Sequence, residues 1–230
     1  ISSIKSTILC EKPIGLNYVE FCKILELFEN KNTKLFVALN RRYYQSMNKL
    51  KNFIKTDSIG RINIVDQQDQ NLMKKMGKNK RVIKYLMYAN SIHLIDLISF
   101  FSMNSSYRIL KKKIIRSNKK KIIKCEIKTQ KIIFKYKCYW NIKKRWEIKA
   151  FGKKKIYKLN PTEKIFVSKN NPKNKYDEIK ISKIDQRFKP GIYCLMKDIL
   201  KYLKTKELNN LITIQNHRST VKLINDIYEQ

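Results

Sequence analysis

The chain has 230 residues, of which 43% are hydrophobic and 11% aromatic. This length and composition allow a substantial core and exclude a disordered tail. The 52 Lys and Arg residues against 18 Asp and Glu give a formal charge of +34, which raises the hypothesis of a nucleic-acid-binding surface.

The basic excess is nearly all lysine, spread along the whole chain, with abundant Ile, Asn and Tyr. Such a composition is the bias expected from A+T-rich codons acting on any fold, and no RNA-binding signature accompanies it. Charge alone supports only non-specific binding, so a specific nucleic-acid partner is disfavoured.

Three further classes are excluded by simple patterns. The five cysteines form no C-x-x-C pair, so we expect neither a disulfide framework nor a zinc site. The most apolar stretch, residues 86–103, contains Asn90, His93 and Asp96, which disfavours a membrane span. No signal-peptide pattern opens the sequence, and we therefore expect a cytoplasmic protein without a bound metal.

The first predicted element is an apolar strand, residues 7–10, followed by Glu11, Lys12 and a proline. A helix at 17–29, opened by a capping box, and a buried strand at 34–39 complete a parallel unit. Ligands bind at the carboxyl ends of such strands, so Lys12 is the first candidate to hold a substrate hydroxyl or carbonyl. The alternative is that Glu11 and Lys12 are solvated turn residues.

The middle of the chain predicts a helix at 45–54 and a strand at 61–65 that ends in a polar run, residues 66–70. The basic segment 71–81 lacks periodicity and is predicted to be a mobile loop or lid. Residues 85–101 are predicted to form a largely buried helix.

Alternation from 107 to 159 predicts an antiparallel meander with one buried face and one lysine-bearing face. Helices near 192–203 and 217–228 follow, the second with Asn216 as its predicted cap.

Three motifs occur in order on these elements: Cys-Glu-Lys-Pro at 10–13, Asn-Arg-Arg-Tyr at 40–43 and His-Leu-Ile-Asp at 93–96. With them the chain resembles the Gfo/Idh/MocA family of sugar and polyol oxidoreductases over nearly its whole length. Weaker similarity lies at Ile59-Gly60, Trp146-Glu147-Ile148, Gly152 and residues 188–191. The resemblance implies an α/β plus α+β fold: residues 1–40 are the C-terminal remnant of a Rossmann-type parallel sheet, and 41–230 form an α+β domain with a large open antiparallel sheet.

The resemblance also implies hydride transfer between a hydroxyl or ketone of a sugar, nucleotide-sugar or polyol and the nicotinamide of NAD or NADP. Lys12 matches the lysine that binds the reacting oxygen and, with Glu11, lies at the cofactor. His93 matches the histidine that takes or returns the hydroxyl proton. The remaining candidates lie on the substrate side: Arg41, Asn90 and Trp140.

Two departures from the family pattern matter. Ala89 replaces an aspartate four residues before the histidine, which leaves Asn90 as the candidate to orient the imidazole. His93 is otherwise a satisfied histidine of a buried helix, and Asp96 is expected to cap or pair structurally. The Gly-x-Gly-x-x-Gly turn that binds the cofactor pyrophosphate is absent, and the five glycines form no such loop elsewhere.

The chain is therefore expected to be incomplete, with the missing part upstream, on a companion chain or lost in a degenerate gene. Three functions are weighed: an oxidoreductase acting on a sugar-like small molecule, a non-catalytic module that forms homo-oligomers through the open sheet, and a basic nucleic-acid-binding protein.

Overall fold

The structure is a computed structural model that describes residues 7–29, 33–118, 120–169 and 175–228. Strands β1 (Thr7–Glu11) and β2 (Lys34–Ala38) form a small parallel sheet, and helix α1 (Tyr18–Glu26) connects them. The side chain of Asn17 accepts the backbone N–H of Glu20, whose carboxylate accepts the N–H of Leu16. The predicted parallel unit and its capping box are both present.

The large sheet has eight strands. Their bounds are β3 (Arg61–Gln68), β4 (Tyr107–Ser117), β5 (Lys120–Thr129), β6 (Ile133–Trp140), β7 (Glu147–Phe151), β8 (Lys155–Leu159), β9 (Phe166–Lys169) and β10 (Asp177–Glu178). In space the order is β10-β9-β8-β7-β3-β6-β5-β4. The predicted fold class is confirmed, but the meander is not continuous. Strand β3 lies between β6 and β7, parallel to the first and antiparallel to the second.

Strand β3 also corrects the predicted end of its own segment. The polar residues after Val65 continue the strand to Gln68, and both Asp66 and Gln68 are fully buried. Alternation therefore persists through the polar run, because buried hydrogen-bond partners replace apolar contacts at these two positions.

The longer helices are α2 (Gln45–Thr56), α5 (Ile92–Phe101), α7 (Ile192–Thr205) and α8 (Ile214–Tyr228). Helices α5 and α8 share a core with the apolar face of the large sheet, whereas α7 packs on the small sheet through Leu195 and Ile199. No helix in the described part of the chain combines the length and apolarity needed to cross a bilayer.

Three predicted helix features are wrong. The expected loop at 71–81 forms two short helices, α3 (Gln70–Lys75) and α4 (Lys80–Lys84), capped by Asp69 and Asn79. A π-helical turn, Met87–Ser91, precedes α5 and interrupts the expected continuous helix. Helix α8 begins before Asn216, whose N–H donates to Thr213 Oγ1, so Asn216 is not its cap. Lysine-rich short helices lack the apolar period on which the prediction depended.

The last short helix is α6 (Ile184–Arg187), just before α7. The predicted domain division at residue 40 stays a prediction.

Candidate functional site

Lys12 follows the carboxyl end of β1, as the sequence predicted. Its Nζ donates a hydrogen bond of 2.5 Å to the carbonyl oxygen of Ala89, across 77 residues of sequence. Burial lowers the pKa of the Lys12 ammonium; the charge of Glu11 opposes this shift and that of Arg41 adds to it. Glu11 itself is exposed. The Lys12 bond ties the end of β1 to the π-helical turn.

His93 lies in the first turn of α5 and retains 9% of its accessible surface. Its Nδ1 is buried and has no hydrogen-bond partner among the described residues. Burial lowers the pKa of the imidazole to about 2, and the positive charges of Lys12 and Arg41 act in the same direction. His93 is therefore neutral at pH 7, and Lys12 and Arg41 are near enough to influence its titration.

Arg41 lies in a 3₁₀ turn, Asn40–Tyr43, that follows β2. Its guanidinium carbon lies 4.3 Å from the centroid of the Trp146 ring and 5.4 Å from that of Tyr44. One η nitrogen donates to Thr162 Oγ1 at 3.2 Å, whereas the buried Nε has no hydrogen-bond partner in the described part of the chain. Burial lowers the pKa of this guanidinium as well.

These groups adjoin a cleft of about 620 Å³ at the carboxyl-end edge of β3, β6 and β8. Arg41, Asn90 and Trp146 line it, and α3 contributes Leu72 and Met73 to its wall. The predicted lid segment is thus a helical wall of the cleft. The remaining lining residues come from the strand ends and the loops after them: Gln67, Asp69, Lys144, Arg145, Asn160, Pro161, Thr162 and Glu163.

The structure brings four of the predicted residues to this end of the sheet. Arg41 and Asn90 line the cleft, Lys12 bonds to the residue before Asn90, and the His93 ring lies 6.5 Å from that of Trp146. Glu11 lies beside Lys12 at the exposed end of β1.

Trp140 is not brought into the cleft. It is 4% exposed, its ring packs 6.0 Å from that of Tyr228, and its indole Nε1 has no partner among the described residues. Trp146, which follows the basic loop after β6, is the tryptophan that lines the cleft. The sequence signal for it was an aromatic residue in a polar loop after a strand, where ligand contacts concentrate.

Asn90 does not orient His93, because its Nδ2 donates to Gln68 Oε1 at 3.0 Å. Gln68 in turn donates to Ser91 Oγ at 2.6 Å and to Asp66 Oδ1 at 3.1 Å. The bonds of Gln68 instead hold the π-helical turn against β3.

The same buried network continues under the cleft. The Tyr136 hydroxyl donates to Asp66 Oδ2 at 2.5 Å and contacts the Tyr228 hydroxyl at 2.6 Å, which contacts Ser91 Oγ at 3.0 Å. Burial raises the pKa of Asp66, while its hydrogen bonds oppose that shift. Sequence reasoning missed this network, since its members come from four separated segments.

The turn between β1 and α1 does not fit a cofactor pyrophosphate. The Asn17 side chain already accepts the N–H of Glu20, and the Glu20 carboxylate accepts that of Leu16. Glu20 also adds a negative charge there, which pairs with Arg81 and disfavours a second anion. A Cβ at Gly15, whose φ is +79°, would lie 2.8 Å from the Phe21 nitrogen, so this glycine permits packing of the chain on itself. Within the described ranges, no three metal-ligating side chains cluster either.

No family model and no curated protein matches the chain by sequence. Solved structures do match. A dehydrogenase from Chromobacterium violaceum is 12% identical with a TM-score of 0.73, over 96% of this chain and 68% of that one. An oxidoreductase from Agrobacterium radiobacter, in complex with NAD⁺, L-tartaric acid and magnesium, is 13% identical with a TM-score of 0.68, over 96% of this chain and 69% of that one. A super-repressor mutant of Gal80p from Saccharomyces cerevisiae is 12% identical with a TM-score of 0.68, over 97% of this chain and 70% of that one.

These neighbours define a class of fold that dehydrogenases and oxidoreductases share. The chain has the fold of Gfo/Idh/MocA-type proteins and spans about two thirds of the length of these neighbours, which confirms the resemblance at the level of the fold.

Proposed function

We propose that this chain carries the substrate-binding and proton-transfer groups of an NAD(P)-dependent oxidoreductase acting on a hydroxyl or ketone of a sugar, nucleotide-sugar or polyol. The observations that support it are the position of Lys12, whose ammonium bonds to the residue before the cleft-lining Asn90, and its proximity to a neutral His93, whose titration its charge influences. The neighbours with dehydrogenase and oxidoreductase names support the same class.

Lys12 and His93 have different roles in this proposal, because one side chain donates hydrogen bonds and the other accepts a proton. An ammonium has three donors, of which Lys12 uses one on Ala89, so two remain for a substrate oxygen. A neutral imidazole accepts the hydroxyl proton when an alcohol is oxidised and returns it in the reverse direction. Because the turn between β1 and α1 does not fit a pyrophosphate, the proposal for these residues is limited to substrate binding and proton transfer.

The test uses the complete open reading frame that contains these residues. We expect NAD(P)H-linked turnover of a sugar-like substrate, reduced by about 100-fold or more in Lys12→Ala and in His93→Ala. Lys128→Ala, at an exposed position of β5, is the matched control. Unchanged turnover in both site variants, with thermal melts showing that they fold, removes the assignment.

The turn between β1 and α1, which its own Asn17 and Glu20 side chains hydrogen-bond, favours a second candidate. This candidate is a ligand-binding or oligomerisation module without turnover. Its predicted interface is the open face of the large sheet, which carries Lys111, Lys113, Lys124 and Lys135. Like charges on this face repel a second copy, so this candidate predicts homo-oligomers that strengthen with salt. Light scattering at low and high salt separates it from a monomer, and NADH binding with turnover contradicts it.

A further inference from the structure

We propose that the substrate is an anion and that Arg41 binds its carboxylate or phosphate oxygens. This inference rests on the proposed function, since it names the substrate class of the same cleft. It depends on the state of Arg41, which is desolvated but makes no ion pair with any described residue.

Arg41 lacks the partner that its burial demands. Its only side-chain hydrogen bond to a described residue goes to the neutral hydroxyl of Thr162, and its buried Nε has none. A desolvated charge is costly unless an opposite charge and hydrogen bonds compensate it. No carboxylate in the described part of the chain comes within ion-pair distance of Arg41, although Glu163 and Asp66 lie near enough for their charges to favour the charged guanidinium. The cleft gives a ligand access to Arg41.

The guanidinium is also held in a fixed orientation. Contact with the Trp146 ring at 4.3 Å, together with the bond to Thr162, restricts its rotation. A planar fork that is fixed in this way suits two-point binding of a carboxylate or phosphate, which a lysine at the same place would not provide.

Among the described residues, the acidic groups near the cleft attract Arg41 without forming an ion pair with it. Asp69 accepts the Leu72 N–H at 2.9 Å as the cap of α3, and Glu163 accepts the Thr162 hydroxyl at 3.3 Å. Lys144 and Arg145 add exposed positive charge to the same cleft, without ion pairs among the described residues. The potential in the cleft therefore favours an anion.

An anion at Arg41 would also improve His93 as a base. The charges of Lys12 and Arg41 lower the pKa of His93, and a bound carboxylate or phosphate opposes that effect. Substrate binding would then bring the imidazole closer to the range in which it accepts a proton efficiently.

The experiment measures binding to the full chain without cofactor, by calorimetry. The probes are D-glucuronate for a carboxylate, D-glucose 6-phosphate for a phosphate and D-glucose as the neutral analogue. We expect at least one anionic probe to bind about 10-fold or more tighter than D-glucose, with the stronger of the two identifying the group. Arg41→Gln should abolish this preference.

Arg61→Gln is the matched control, because Arg61 also stacks on an aromatic ring, 4.0 Å from the centroid of Phe151, but lies outside the cleft. Equal binding of all three probes, no binding of either anion, or an undiminished preference in a folded Arg41→Gln variant overturns the inference. Turnover of a neutral sugar that Arg41→Gln leaves intact refutes this inference alone. Anion binding at Arg41 without NAD(P)H-linked turnover refutes the proposed oxidoreductase activity alone.

Discussion

Arg41 and Arg42 are neighbours in the sequence, yet they belong to two regions with opposite character. Arg42 lies in the core and donates two hydrogen bonds to Asp96, at 2.5 and 2.7 Å. Arg41 lines the cleft, and among the described residues its side chain hydrogen-bonds only to the Thr162 hydroxyl. The pair in the core is a closed structural unit, whereas the cleft leaves hydrogen-bonding capacity unused. An unsatisfied donor that also lines an opening, as Arg41 does, marks the region that can bind a ligand.

The two histidines repeat this contrast in part. His217 is completely buried in α8, with its ring 5.7 Å from that of Phe21. His93 is also buried but retains some exposure beside the cleft. Both imidazoles are kept neutral by burial, so a lowered pKa alone does not distinguish a structural histidine from a candidate base. Position beside an opening does.

The largest effect should come from exchanging the two arginines for methionine. Arg42→Met leaves Asp96 buried without its cation and should lower the free energy of unfolding by about 3–5 kcal/mol. Arg41→Met removes a charge that forms no ion pair with the described residues, together with contacts to two aromatic rings, so the change should stay within about 1 kcal/mol. Urea denaturation of both variants measures the difference. Equal losses would mean that the two regions do not differ as described.

The second effect is a loss of stability at low pH that comes from the buried His217. Burial lowers the pKa of His217 to about 4; the charge of Asp96 opposes the shift and that of Arg42 adds to it. In the unfolded chain the value is about 6.5, so the unfolded state binds more protons as the pH falls below that value. The titration of His217 therefore does not change the free energy of unfolding above about pH 6.5, and it lowers this free energy by about 3 kcal/mol at pH 4.

The variant His217→Phe removes this titration and keeps an aromatic ring against Phe21. Unfolding by urea at pH 7, 5.5 and 4 should therefore show a weaker pH dependence than in the parent chain. His93→Phe should be measured in the same way, because burial also lowers the pKa of His93 and the two variants separate the contributions of the two histidines to the pH dependence. An unchanged pH dependence in His217→Phe would contradict the burial of a neutral imidazole at this position.

The smallest effect concerns the third hydrogen bond that Asp96 accepts in the core, the one from Thr220. Thr220 Oγ1 donates to Asp96 Oδ1 at 3.2 Å, and Thr220→Val should cost about 1 kcal/mol of stability because Arg42 still satisfies that oxygen. Ser219→Ala, at the preceding exposed position of α8, should change stability by less than about 0.5 kcal/mol. Thermal or urea melts compare the two, and similar values would show that the Thr220 bond contributes nothing.

Local patterns were sufficient for several elements. The Asn17–Glu20 capping box and the apolar runs of β1 and β2 act over a few residues, and the structure has the unit that they predicted. The structural pairing expected for Asp96 is also confirmed, by Arg42. Helices α3 and α4 were missed because side-chain caps define them, with only one buried side chain, Ile83, between them.

Features that depend on distant contacts were not accessible in this way. Insertion of β3 between β6 and β7 is decided by pairing with strands far along the chain. The burial of Asp66 becomes intelligible only with Tyr136 as its donor. Likewise, Trp140 ends buried at the last position of β6, and the path of the loop after that strand brings Trp146 to the cleft.

By itself, the sequence determined the helices and strands with strong periodicity or caps, the parallel β1–α1–β2 unit and the resemblance that names the class of fold. These depend on interactions between residues close in the chain, which a single sequence displays directly. Tertiary structure alone decided which of two adjacent arginines found a carboxylate, which tryptophan faces the cleft and where Asn90 donates. Each of these outcomes depends on a partner many residues away, and hydrogen bonding and burial are settled only when the two segments meet.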